Sequence, residues 1–291
     1  MIHILQSSAF GGQIRSPRKT GINPIFRAKI TVDGVSLRCY VKPMPDFYRE
    51  EDGSFFLNRE LTSESIGYAL AKAAGMATPD AAGVIALERE MIPPDVLLKL
   101  DAITHGQPQD SFLAWFSQDM TYPNLVEKFV DSPWNAFQQK RIKTLAERMS
   151  KHADAPMIVS FDEWTLNSDR HFGNLLISPK DRLYLIDHGR IFRYPSWDPA
   201  LLGPASAVCA NRFRTIIDTF VPRWSTQLPL KSARALAYNT LSVSFKGHGV
   251  AAVRSVLKNL LMEEQEVDMI TDFLSQRLEP KMYCSFVEVV V

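Results

Sequence analysis

The stretch that most limits what this chain can fold into is Phe161 to Phe192, FDEWTLNSDRHFGNLLISPKDRLYLIDHGRIF. A helical run, Met157 to Leu166, ends at the polar step Asn167-Ser168. Asp169, Arg170 and His171 follow, then Asn174 five residues after Asp169. Two short apolar segments, Leu175 to Ile177 and Leu183 to Ile186, flank the turn Ser178-Pro179-Lys180-Asp181. Two strands joined by a tight turn predict a β-hairpin. Such a hairpin brings Asn174, at the start of one strand, close to Asp187, at the end of the other. Asp169 falls on the loop just before.

Two oxygen ligands with a free carboxylate beside them suit Mg²⁺ and phosphoryl transfer. Mg²⁺ prefers oxygen, takes one or two protein groups, and fills its remaining positions with water and substrate phosphates. The free carboxylate can orient a hydroxyl and accept its proton. A loop Asp as base, an Asn on metal and a second Asp on metal after a strand is a recurring phosphotransferase order. Asp169, Asn174 and Asp187 fill it. The pattern D-R-H-x-x-N followed by I-D-x-G resembles the catalytic and metal-binding loops of the phosphoinositide 3- and 4-kinase-like superfamily. Within it, the short bacterial HipA-like serine/threonine kinases look closest. Asp precedes Arg and His here, whereas ordinary protein kinases read His-Arg-Asp.

Upstream, residues 2 to 6 read as a short strand. The segment Gly11 to Gly21, GGQIRSPRKTG, reads as a basic, glycine-rich loop that could bring backbone N–H groups to phosphate oxygens. Ser16 is its candidate nucleotide contact, and Ser16 and Thr20 are candidate autophosphorylation targets. Ile25 to Thr31 and Ser36 to Val41 predict two strands around Asp33-Gly34. Lys42 closes the second, and Pro43 is expected to end it. In the resembling family such a lysine holds the α/β-phosphates of ATP. Lys19 and Lys29 compete, but apolar and aromatic residues precede Lys42. Residues 46 to 55 are loop-like, and Leu57 to Ala74 form a helix ending at Gly75. The resemblance implies a helical glutamate as partner of the lysine. Glu60 fits best, and Glu64, one turn on, shares its face.

Thr78-Pro79 precedes a strand, Ala82 to Leu87; a loop with a short helix near Asp95 to Leu100 leads to another strand, Phe112 to Phe116. The order of elements then sets a hinge at Phe116, Ser117, Gln118 and Met120, whose backbone would meet adenine. Trp134 to His152 is an amphipathic helix whose Lys140, Arg141, Lys143, Arg148 and Lys151 read as a solvated face. After Phe192 comes a short loop in the place of an activation segment. Helices follow near Arg214 to Phe220, Leu230 to Ser244, Gly249 to Leu261 and Glu264 to Arg277, with a strand-like end, Phe286 to Val291.

The expected fold is therefore α+β and bilobed, kinase-like: a small antiparallel β-sheet N-lobe with one main helix over 1–120, and a mostly α-helical C-lobe over 121–291. At 291 residues and 46% hydrophobic content the chain can bury a sizeable core. A net charge of +1 gives no sign of a nucleic-acid partner. No apolar stretch approaches the length of a membrane span, and no secretory leader is apparent. Cys39, Cys209 and Cys284 are too dispersed for a metal site or disulfide framework. A cytoplasmic location follows.

The expected activity is ATP- and Mg²⁺-dependent phosphoryl transfer. Asp169 is the candidate base, Lys42 and Glu60 the phosphate clamp, and Asn174 and Asp187 the metal ligands. His171 supports either the loop or the transferring phosphoryl group, and Arg170 is taken as structural. HipA-like enzymes act on proteins, and some are toxins paired with an antitoxin. The resemblance thus implies a protein substrate and admits an antitoxin-like partner. A lipid or small-molecule kinase, an ATP-binding pseudoenzyme and an AMP transferase remain open alternatives.

Overall fold

The computed structural model describes residues 2–15, 24–49, 52–131 and 135–287, with Asn135 and Ala136 as backbone only. The basic part of the glycine-rich loop, including Ser16 and Thr20, lies outside the described residues, as does Trp134.

The N-terminal part comprises β1 (His3–Leu5), β2 (Phe10–Ile14), β3 (Phe26–Val32), β4 (Val35–Met44), β5 (Phe47–Arg49), β6 (Phe55–Leu57), α1 (Glu60–Ala73), β7 (Ala82–Glu88), α2 (Pro94–Ile103) and β8 (Ser111–Gln118). Six strands form one sheet in the order β1-β7-β8-β4-β3-β2. All neighbours are antiparallel except β1 and β7, which run parallel. Alternation of buried and open residues along β3 gives the sheet an inner face. There Phe26, Ala28 and Ile30 join Val41, Ile85, Leu100 and Phe116 in one core.

The C-terminal part follows with α3 (Leu125–Phe129), α4 (Asn135–Met149), α5 (Ala155–Thr165), β9 (Leu175–Ile177), β10 (Leu183–Leu185), α6 (Arg212–Phe220), α7 (Leu228–Ser244), α8 (Val250–Asn259), α9 (Glu264–Arg277) and α10 (Pro280–Val287). A π-helical turn, Phe245–Gly249, joins α7 to α8. Phe161, Trp164, Phe213, Tyr238, Phe245 and Leu274 are central to its core. A third cluster sets Val256 of α8 against Leu61 and Tyr68 of α1 and Trp115 of β8, which anchors α1 between sheet and helices.

Several local expectations are corrected. Gly11 to Ile14 is strand rather than loop, pairing with β3 through a register shift between Phe10 and Gln13. Pro43 does not end β4, because the strand continues to Met44 against Leu113. Beyond the Phe26–Val41 pair, β4 has a partner on one side only, which is where a strand tolerates proline. Residues 47–49 and 55–57 form a small aromatic hairpin, too short to show a period. Leu57 belongs to it, so α1 begins at Glu60; the helix in the following loop is longer than expected, Pro94–Ile103. Phe286 lies in a helix rather than a strand. Pro280 suits a first helical turn, and Tyr283 stacks on Tyr238 with ring centroids 5.7 Å apart.

Candidate active site

The site is assembled where β4, the start of α1 and the end of the hairpin meet. β9 and β10 pair Leu175 with Leu185, and Ile186 N–H donates to the Asn174 carbonyl at 3.3 Å. The hairpin thus closes beside Asn174 and releases Asp187 immediately afterwards. Asp187 has φ +58°, a left-handed conformation uncommon for a non-glycine residue and concentrated at functional sites. Two glycines make the docking possible. A Cβ on Gly67 of α1 would lie 2.3 Å from His188 Cβ, and one on Gly189 would lie 2.7 Å from Glu60 Cγ.

Asn58 accepts the Glu60 N–H at 2.9 Å and so fixes where α1 starts. Glu60 and Glu64, one turn apart, then face Lys42 together. Lys42 Nζ lies 2.9 Å from Glu60 Oε1, 3.3 Å from Glu64 Oε1 and 3.3 Å from Asp187 Oδ1. Both glutamates are therefore partners of the lysine. Tyr48, on the aromatic hairpin, donates to Glu60 Oε2 at 2.9 Å, and His188 N–H donates to Glu64 Oε2 at 2.7 Å.

Lys42, Glu60 and Glu64 are buried, so these charges interact in a medium far weaker at screening than water. Burial opposes the Lys42 charge, but Asp187, Glu60 and Glu64 outweigh it and hold the ammonium well above its usual range. For Asp187, burial is likewise outweighed, chiefly by Lys42, and the carboxyl sits below the ordinary range. Glu64 goes the other way. Burial, with Asp187 and Glu60 nearby, pushes it up to about 8 despite Lys42.

The loop between α5 and the hairpin is braced from below. Leu166, at φ +55°, ends α5 in a left-handed turn. Asn167 donates to Asp162 at 3.1 Å and accepts the Asp169 N–H at 3.2 Å. Arg170 is wholly buried. It meets Asp162 at 3.2 Å, donates to the carbonyls of Asn174 and Ile186, and lies 3.1 Å from His188 Nδ1. One guanidinium therefore joins α5, the loop and the hairpin exit. His171 Nδ1 accepts the Gly173 N–H at 2.9 Å, which requires that nitrogen unprotonated; burial also lowers its pKa. Its observed work is to brace the turn into β9.

Asn174 donates through Nδ2 to the Asp169 carbonyl at 3.1 Å, leaving Oδ1 as its remaining ligand atom. The Asp169 carboxylate is partly exposed and bound by Arg212 Nη1 at 2.7 Å. Arg212 and Tyr48 were not legible in the sequence. Arg212 lies 43 residues from Asp169, and no local spacing connects them.

Phe116, expected at the hinge, is instead fully buried in the core with Val41 and Leu100; Lys42 pairs with the adjacent Trp115, so the Phe116 side chain lies on the sheet face away from Lys42. Ser117 and Gln118 are still within β8, and Gln118 N–H is taken by the Ala81 carbonyl at 2.8 Å. Asp119 N–H is taken by the Arg38 carbonyl at 2.8 Å. Met120 is the first named hinge residue beyond the strand.

Among the described residues, no three His, Cys, Asp or Glu side chains converge as a metal cage. Asn174 Oδ1 and the Asp187 carboxylate are hard oxygens, the donor type that Mg²⁺ takes when phosphates and water fill its other positions, and Asp187 Oδ1 is held by Lys42 at 3.3 Å.

No protein-family description matches the chain, and no curated protein does. Among solved structures it is similar to the Helicobacter pylori proinflammatory kinase CtkA, at 12% identity and a TM-score of 0.54, over 98% of each chain. The likeness is one of fold: an N-terminal β-sheet with one main helix, then a mostly helical C-terminal part. No helix among the described residues is long and apolar enough to cross a membrane.

Proposed function

We propose that the chain is an ATP- and Mg²⁺-dependent phosphotransferase, a HipA-like serine/threonine protein kinase capable of autophosphorylation, with its lobes divided near residue 120. One observation carries this reading: a buried lysine from the sheet meets two helical carboxylates and the aspartate leaving the hairpin. A buried cation held among acids from a helix and a hairpin exit is a poor stability device but a good phosphate clamp. The kinase fold of the similar CtkA structure supports the same reading.

Lys42 would hold the α/β-phosphates, kept charged and aimed by Glu60 and Glu64. Asn174 and Asp187 would hold Mg²⁺, which when bound supplies charge neutralisation across the phosphate oxygens. Asp169 would orient the acceptor hydroxyl and accept its proton. Arg212, now on Asp169, would hold that carboxylate in place until the acceptor arrives. Ser117, Gln118 and Met120 would lie along the edge of the adenine pocket, with Phe116 supporting the strand from the core behind it. The first test is incubation with γ-labelled ATP, with and without cell lysate, followed by phosphosite mass spectrometry. Labelled Ser or Thr is the expected result. An AMP adduct, or no transfer with Mg·ATP bound, would overturn the reading.

A further inference from the structure

A second charged site lies in the helical part. A cavity of about 250 Å³ is lined by Arg214, Thr215 and Asp218 of α6, Ser225, and Lys231 and Arg234 of α7. Both arginines converge on one carboxylate: Glu163 of α5 accepts from Arg214 Nη1 at 2.6 Å and from Arg234 Nη2 at 2.5 Å. Behind the cavity, Arg277 fixes the Glu163 backbone, donating to its carbonyl at 2.6 Å and to the carbonyls of Trp164, Ala205 and Ala207. Asp218 spends one oxygen on the Ser225 N–H at 2.8 Å. Three cations, Arg214, Lys231 and Arg234, line the cavity, against the carboxylates of Asp218 and Glu163.

Arg234 is 2% exposed, and its Nε–H is buried with no hydrogen-bond partner among the described residues. A buried donor left unmet is costly unless something supplies an acceptor. Guanidinium groups beside an ammonium and a hydroxyl match the several oxygens of a tetrahedral anion, and the lining keeps a net positive charge.

We propose that this cavity binds a phosphate group, as inorganic phosphate or as a small phosphate monoester, through Arg214, Lys231 and Arg234. The site does not depend on the phosphotransferase reading. It is separate from the acidic cleft, although Arg212 on the same helix α6 reaches Asp169.

The test is thermal unfolding of the full chain at constant ionic strength, titrated with inorganic phosphate or with phosphoserine amide against chloride. A saturable rise in melting temperature is expected for the wild type and, undiminished, for Lys42→Met, which disables phosphate contact in the cleft. Lys231→Met should weaken the apparent affinity at least tenfold. Ser225→Glu, which places a carboxylate at the cavity, should abolish the response and serves where Lys231→Met fails to fold. A tighter response to inorganic phosphate identifies a free anion as ligand; a tighter response to phosphoserine amide identifies a phosphorylated side chain. No saturable rise, an equal rise in the cavity variants, or loss of the rise in Lys42→Met would overturn the proposal.

Discussion

Two buried charge clusters in this molecule are mirror images in sign. In the cleft, one cation, Lys42, faces Glu60, Glu64 and Asp187. In the helical part, one carboxylate, Glu163, faces Arg214 and Arg234. A third cluster shows what balance looks like. Asp162 and Arg170 are both wholly buried and pair one to one, with Asn167, backbone carbonyls and His188 using the remaining polar groups. Burial pushes the Asp162 carboxyl up to about 6, yet the pair is satisfied by the protein itself. A balanced, saturated pair is a strut between elements. An unbalanced one retains a charge that a ligand of opposite sign can offset, because low-dielectric surroundings cannot screen it. The cleft is suited to a cation and the helical cavity to an anion.

The comparison breaks most visibly if the cleft acids are not functional. Asp169→Asn should lower phosphoryl transfer by about 10²–10⁴-fold, the usual contribution of a positioned base. The Mg·ATP-induced rise in melting temperature should survive, because Asp169 is not among the groups around Lys42. Asp187→Asn should abolish both transfer and the Mg²⁺-dependent part of that rise. Initial-rate assays with thermal unfolding separate the two variants. Full activity in Asp169→Asn would end its assignment as base, and an unchanged Mg²⁺ response in Asp187→Asn would end its assignment as ligand.

The opposite cluster should fail through stability. Glu163→Ala leaves Arg214 and Arg234 without their carboxylate, one of them deeply buried. Removing one partner of a buried ion pair costs about 3–5 kcal/mol. Urea unfolding of this variant should show that loss, and phosphate should recover more stability than it gives the wild type. A loss no larger than that of an exposed pair such as Arg254–Glu264 would mean that water already screens the cluster.

How much of this was legible in the sequence depends on whether the signal was local. Asp169, Asn174 and Asp187 were readable because one hairpin and its loop hold all three within 19 residues. The helix-borne acids were readable as a pair, since one turn of helix separates Glu60 from Glu64. That both engage Lys42 was not, because it depends on how closely α1 approaches β4 and the hairpin, which Gly67 and Gly189 permit. The aromatic hairpin that sends Tyr48 to Glu60 was read as loop, since two three-residue strands carry no measurable period. The helical cavity left no local trace. Its charges come from α5, α6 and α7, and only packing brings them together.

The smallest expected effect concerns Glu64, the acid that departs from its neighbours. Its carboxyl titrates near 8 in the folded chain against an ordinary 4.5, so the fold retains a proton that the unfolded chain has released. Stability from this group is full below about 4.5 and declines as pH rises towards 8, because the folded state binds more protons there. Asp187 acts in the opposite direction and in a different window. Its lowered pKa contributes stability above the ordinary carboxylate range, lost only in stronger acid. Between pH 5 and 8 the two do not cancel. Glu64→Gln keeps an acceptor for the His188 N–H but cannot ionise. It should come close to the wild type near pH 5 and exceed it increasingly as pH rises towards 8. Urea midpoints at pH 5, 6.5 and 8 measure the divergence. Parallel curves would place Glu64 among the ionised acids, and the cleft would then carry one more negative charge at neutral pH.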